Sequence, residues 1–175
     1  YPFVTSSATT AGSACATSGF GPSDVDLVIG VAKAYSTRVG EGPFVAEESN
    51  GTGEWLRQQG QEFGATTGRP RRCGWIDLPA LKQAVRMNGT TNLALTKLDV
   101  LAGSKEIKAV VDYEYQDKKL NYYPTNLEIM KSLKPIYKSF PGFSEDISIY
   151  GSYHRLPKAA RHYVEFIQDY LDVPV

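Results

Sequence analysis

The chain has 175 residues, of which 42% are hydrophobic and 22% charged, ordinary proportions for a soluble globular fold with one full core. Nineteen lysines and arginines balance nineteen aspartates and glutamates, so there is no basic field of the kind that nonspecific nucleic-acid binding needs. No apolar run approaches the roughly 20 residues that span a bilayer, and the start carries no basic-then-apolar leader. Cys15 and Cys73 suit free thiols in a reducing compartment, so the expectation is a cytoplasmic protein without nucleic-acid or membrane partners.

Residues 1–22 are rich in Thr, Ser, Ala and Gly and show no clear period, which fits a segment that packs closely or lines a ligand, or a flexible linker. Ser23 is a candidate cap for a short turn. The apolar run from Leu27 to Tyr35 fits a buried strand, or alternatively a helix, and a loop follows from Ser36 to Pro43. Residues 53–63 read as a helix with Trp55 and Leu56 on one face and Gln58, Gln59 and Glu62 elsewhere.

Asp77 is a good N-cap, with Pro79 in the first turn of a helix that runs to Asn88-Gly89. Leu78, Leu81, Ala84 and Val85 fall at helical spacing and predict its buried face. Leu93 to Leu95 is a short strand leading into Thr96-Lys97-Leu98-Asp99, and ligands of α/β folds collect at such strand ends. Ile107 to Tyr115 alternates as a half-buried strand, turned back at 116–119 into a hairpin with 120–123. A further strand covers 136–142. The last helix, about 157–171, carries Ala160, Tyr163, Val164, Ile167 and Leu171 along one stripe. The sum is an α/β fold with a mixed, mainly parallel sheet, flanking helices and a β-hairpin, forming one unit over residues 1–175. Tyr1 at the start and Val173-Pro174-Val175 at the end predict a piece of something longer.

Two motifs carry chemistry. Gly64 to Trp75 sets Arg69, Arg71 and Arg72 beside Thr66, Thr67 and Gly68, and guanidinium forks with hydroxyl and N–H donors suit a carboxylate or phosphate. A solvated basic turn has the same composition. The Lys97-Leu98-Asp99 triplet suits guanine, because one carboxylate can accept from the ring N1–H and the exocyclic amine while the lysine stem packs over the base. Read alone, Lys-x-Asp also fits an exposed ion pair. His154 and His162 are eight residues apart with no ligand-spaced partner, which leaves a metal site or a histidine base unsupported.

Four blocks, Tyr1 to Ser7, Lys33 to Gly40, Gly64 to Trp75 and Leu95 to Leu101, closely resemble in order the middle-to-late part of the adenylosuccinate synthetase family. The resemblance covers essentially the whole chain. It implies a P-loop-NTPase-like parent fold and a ligase in which GTP phosphorylates the 6-oxygen of IMP and L-aspartate displaces that phosphate. It also implies Mg2+ whose ligands lie outside this chain, a homodimer, and a phosphate loop and catalytic groups upstream. Carried over by motif, Thr5 would donate to the IMP phosphate and Val39 would contact the ribose. Ala65, Thr66, Thr67, Gly68, Arg69, Pro70 and Arg71 would close on aspartate, with Arg69 also facing the IMP ribose and Arg71 reaching GTP. Lys97, Leu98 and Asp99 would read guanine. No catalytic residue falls within the chain, so alone it is expected to be inactive; the alternative is a non-catalytic guanine-nucleotide or purine-binding module. Two positions depart from the family: Ala8 stands where relatives have a polar residue, and Pro70 replaces a basic one, which removes an N–H and stiffens the loop.

Overall fold

A computed structural model describes residues 8–175. Its sheet is organised around the stretch from Ile29 to Arg38, which changes partner at Ala34. The first half, β1 (Ile29–Lys33), runs parallel to β4 (Asn92–Thr96), and the second, β2 (Tyr35–Arg38), runs antiparallel to β3 (Arg72–Asp77). Ala34 itself is fully buried, and its N–H donates to the Thr96 carbonyl at 2.8 Å, which keeps the two halves continuous. β3 lies parallel to β5 (Glu106–Tyr115), and β5 pairs antiparallel with β6 (Lys118–Leu120) and β7 (Lys134–Pro141). The pairings form a two-stranded parallel sheet, β1-β4, and a five-stranded mixed sheet, β2-β3-β5-β6 with β7 also on β5, in an α/β fold with helices packed against them.

The strand expected over 27–35 forms, but it is not buried as its composition suggests. Leu27, Ile29 and Val31 are 62%, 60% and 75% exposed, while Ala32 and Lys33 are half-buried and Ala34 and Tyr35 lie in the core. An apolar run does not say which of its faces is covered, and among the described residues only one is. Nor does the expected loop begin at Ser36. The strand continues to Arg38 because Trp75, Gly74, Cys73 and Arg72 supply a ladder opposite Tyr35, Ser36, Thr37 and Arg38.

The caps behave as their chemistry requires. α2 (Gly51–Gly60) starts on Asn50, whose side chain accepts from the Thr52 N–H at 2.9 Å. α3 (Leu78–Asn88) starts on Asp77, whose Oδ1 accepts from the Ala80 N–H at 3.1 Å and from the Tyr113 hydroxyl at 2.5 Å. It ends on Gly89 at φ +59°, a left-handed position that suits glycine. Leu78 and Val85 are buried and Leu81 half-buried, but Ala84 is exposed, so the buried face is narrower than the spacing predicts.

Two helices escape the sequence reading. α1 (Ala11–Ser18) has no buried residue and therefore no apolar stripe to betray it. α4 (Leu127–Ser132) is only six residues long and is capped by Asn126. The hairpin is tighter than expected: Gln116 and Asp117 both take left-handed φ, at +50° and +59°, so Lys118 and Lys119 already belong to β6.

α5 (Lys158–Leu171) buries the whole predicted stripe. Phe140 of β7 packs against its Tyr163 and Phe166 with ring centroids 5.2 and 5.0 Å apart. The buried Tyr163 hydroxyl donates to the Ala34 carbonyl at 2.8 Å, tying α5 to the point where the long strand changes partner. Tyr163→Phe in the intact protein should cost about 1–2 kcal/mol, because it leaves a buried carbonyl short of a donor. Denaturant unfolding with an unchanged m-value checks this.

Candidate functional site

The loop after α2 is held by its own backbone. Phe63 and Pro70 form an antiparallel bridge at its base. Above them the Gly64 N–H donates to the Arg69 carbonyl at 2.9 Å, and the Gly68 N–H to the Gly64 carbonyl at 2.8 Å. Gly68 sits at φ +63°, a conformation a side chain would strain. Ala65 to Pro70 are all exposed, so a fixed backbone displays the Thr66 and Thr67 side chains and Arg69 to solvent. Pro70 fits because it closes the base of the loop, where its fixed φ stiffens the turn.

The three arginines that composition groups together have separate fates. The Arg69 guanidinium has no partner among the described residues. Arg72 is engaged structurally: its Nε and Nη2 grip the two oxygens of Glu47 at 2.9 and 2.5 Å, and its Nη1 donates to the Gly42 carbonyl at 2.8 Å. That fork and the burial around it remove Arg72 from any anion-gripping set. Arg71 turns the other way, toward Glu62.

Glu62 is the one fully buried charged side chain among the described residues. Its Oε1 accepts from Lys33 Nζ at 2.7 Å and from the Tyr35 hydroxyl at 2.6 Å, and its Oε2 accepts from Arg71 Nη1 at 2.7 Å. Lys97 Nζ lies 3.6 Å from the same Oε1 and donates to the Gly60 carbonyl at 2.5 Å. Burial by itself pushes the carboxyl up. The donors from Lys33, Tyr35 and Arg71 outweigh it and pull it down to about 2. Burial and the same carboxylate push the Tyr35 hydroxyl well above its usual range, so it stays a donor. Gly60 allows the arrangement, since a Cβ there would collide with the Tyr35 hydroxyl.

Lys97 leaves the end of β4 at φ +58°, a left-handed conformation that costs a lysine on the order of 1 kcal/mol. Its ammonium holds that geometry by capping the end of α2, where carbonyls lack partners. Asp99 then opens a short 3-10 turn, Asp99–Leu101, with its carboxylate exposed and unpartnered among the described residues. Leu98 is half-buried against the core. Val39 is 71% exposed and stands one residue past the Arg38↔Arg72 pair, at the ladder end from which Arg71 and the loop depart. Thr5 lies outside the described residues.

The structure therefore brings Arg71 and Lys97 onto one carboxylate, sets Val39 beside the loop, and leaves Arg69 and Asp99 pointing outward. Sequence reasoning missed Glu62, Lys33 and Tyr35. In the helix pattern Glu62 resembles its solvent-facing neighbours Gln58 and Gln59, and nothing local marks it as buried. Both cysteines are free, His154 and His162 are exposed, and the described residues include no group of three or more His, Cys, Asp or Glu able to hold a metal. No helix among them is long and apolar enough to cross a membrane.

Because the folded Glu62 carboxyl titrates below its ordinary value of 4.5, its contribution is complete above about pH 5 and is lost as the pH falls toward 2. The lowering corresponds to about 3 kcal/mol. Denaturation at a series of pH values should show this loss in the intact protein, and Glu62→Gln should flatten the slope between pH 5 and 2 while lowering stability at neutral pH.

The profile of the adenylosuccinate synthetase family matches residues 1–175. The adenylosuccinate synthetase of Halothermothrix orenii is 53% identical over 175 residues, covering all of this chain and 41% of the relative. That of Desulfotalea psychrophila is 52% identical over 174 residues, covering 99% of this chain and 40% of the relative. The solved structure of fully ligated adenylosuccinate synthetase from Plasmodium falciparum superposes with a TM-score of 0.95 at 42% identity, covering all of this chain and 42% of that one. The chain thus spans about two-fifths of the length of these relatives. With every residue inside the family profile and the fold shared throughout, the chain belongs to the adenylosuccinate synthetase family.

Proposed function

We propose that the intact protein carrying this sequence is a GTP-dependent ligase that joins IMP and L-aspartate into adenylosuccinate, releasing GDP and phosphate. In this reading residues 1–175 are one unit that selects and holds substrates. The observation that carries it is the display of two unpartnered, opposite charges, Arg69 and Asp99, from segments whose backbones are already fixed. Pre-set geometry matters because phosphoryl transfer and amine attack both depend on positioning and charge neutralisation.

Asp99 accepts the N1–H and exocyclic amine of guanine, with the Lys97 stem and Leu98 beside the base. Adenine lacks that donor pair and would leave the carboxylate unpaired, which is the source of selectivity. Arg69 offers its guanidinium fork to the aspartate carboxylate and reaches the IMP ribose, which Val39 also contacts. Ala65, Thr66, Thr67, Gly68, Pro70 and Arg71 shape the loop around aspartate, Arg71 also reaches the GTP side, and Thr5 holds the IMP phosphate. Lys33, Arg71 and Lys97 surround one carboxylate, so two positive charges remain unneutralised and favour anionic substrates at this edge. Mg2+ would neutralise phosphate charge when bound, held by ligands outside this chain as the family resemblance implies. The same reading makes the enzyme a cytoplasmic homodimer.

In the intact enzyme Asp99→Asn should raise the KM for GTP by about 10- to 100-fold, the worth of a charge-assisted pair of hydrogen bonds, with the KM for IMP unchanged. Arg69→Ala should raise the KM for aspartate by a comparable factor. Unchanged steady-state constants in both variants would remove the assignment. The isolated 175-residue chain should give no GTP- and aspartate-dependent conversion of IMP, measured by product formation at high protein concentration.

A further inference from the structure

Three segments meet at Glu62. Lys33 and Tyr35 come from the long strand, Arg71 from the end of the loop, and Lys97 from the turn after β4. The two oxygens divide the work: Oε2 takes Arg71, and Oε1 takes Lys33 and Tyr35 with Lys97 at its margin. We propose that Glu62 is a positioning residue that sets the loop arginine and the guanine-side lysine in register with each other, so that the aspartate and GTP subsites are built as one unit. This deepens the proposed function and rests on it.

Three observations converge on that role. Glu62 is wholly buried and so does not itself reach a substrate in solvent; it acts through the cations it holds. Its backbone is pinned as well as its side chain: the Glu62 N–H donates to the Arg57 carbonyl at 2.9 Å, and its carbonyl accepts from the Arg71 N–H at 2.9 Å. Arg71 is therefore held to Glu62 at both main chain and side chain, while the Arg71 carbonyl accepts from Arg57 Nε at 2.8 Å. Arg71 Nε stays buried without a partner among the described residues, so Glu62 does not use up the guanidinium's donors. On the other side, the strained Lys97 keeps its ammonium between the Gly60 carbonyl and Glu62, and Asp99 follows two residues later. A shift of the carboxylate would move both subsites together.

The test uses the intact enzyme and steady-state kinetics in all three substrates. Glu62→Gln keeps the size but removes the charge, and should raise the KM for GTP and for aspartate together, each by about 10-fold or more, with a smaller change in kcat. Glu62→Asp should fall between this variant and the original. Tyr35→Phe, which takes one donor from Oε1 and leaves every charge in place, should shift the same two KM values by a few-fold, and it provides the reading if Glu62→Gln does not fold. A purely structural role would lower the melting temperature and the yield of active enzyme while both KM values stayed within twofold of the original; that result overturns the proposal, as does a change in one KM alone. Asp99→Asn separates the two levels: if it weakens GTP while the Glu62 and Tyr35 variants leave both KM values unmoved, the proposal falls and the ligase reading stands. If Asp99→Asn and Arg69→Ala also leave every constant unchanged, the site assignment falls with it.

Discussion

A carboxylate sealed from water must be surrounded by donors, because an ionised group without compensation would cost several kcal/mol in a protein interior. Glu62 meets that demand with a lysine, an arginine and a tyrosine hydroxyl at 2.6–2.7 Å. The demand runs in both directions. The partners neutralise the carboxylate, and the carboxylate dictates where the partners' side chains end. Lys33, Arg71 and Lys97, which would otherwise be long and mobile, are thereby ordered at the edge of the sheet. Gly60 keeps the space open and Tyr35 fills it, which places the tyrosine hydroxyl against the carboxylate.

The cluster stays in place because its backbone supports are rigid. The long strand carries Lys33 and Tyr35 on either side of Ala34, where its pairing changes from parallel to antiparallel. Tyr163 of α5 holds the Ala34 carbonyl from the far side of the core. Arg72, bound by Glu47, fixes the start of β3 immediately after Arg71, so the loop is anchored where it re-enters the sheet. What remains outside this frame is exposed: Arg69, the loop threonines, Asp99 and Val39. Satisfied inner charges are thus divided from unpartnered outer ones, and the inner set fixes the geometry of this edge.

Features governed by near neighbours were legible in the sequence. Asp77 and Pro79 announce the start of α3, and the stripe from Ala160 to Leu171 announces α5, because helical spacing brings those residues to one face without help from the rest of the chain. The polar loop and Lys97-Leu98-Asp99 were likewise visible, since their backbone chemistry is local. Burial was less so. Val31 and Ala84 are as apolar as their neighbours, yet both are exposed, because exposure depends on what packs against a face. α1 has no apolar stripe at all.

What the amino-acid sequence determined by itself is the local chemistry of the arginine-rich loop and of Lys97-Leu98-Asp99, and the family to which the chain belongs, since both rest on contiguous residue types. Tertiary structure alone decided which charges are paired within the protein and which have no partner among the described residues. Arg69, Arg71 and Arg72 are nearly adjacent in the chain and chemically identical, but Arg72 meets an acid 25 residues away and Arg71 one nine residues away, while Arg69 meets none among the described residues. Glu62 likewise reads as one more polar residue near a helix end until Lys33 and Tyr35, 29 and 27 residues earlier, fold over it. A charge declares its role only when its partner is known, and partners are set by distances in space rather than along the chain.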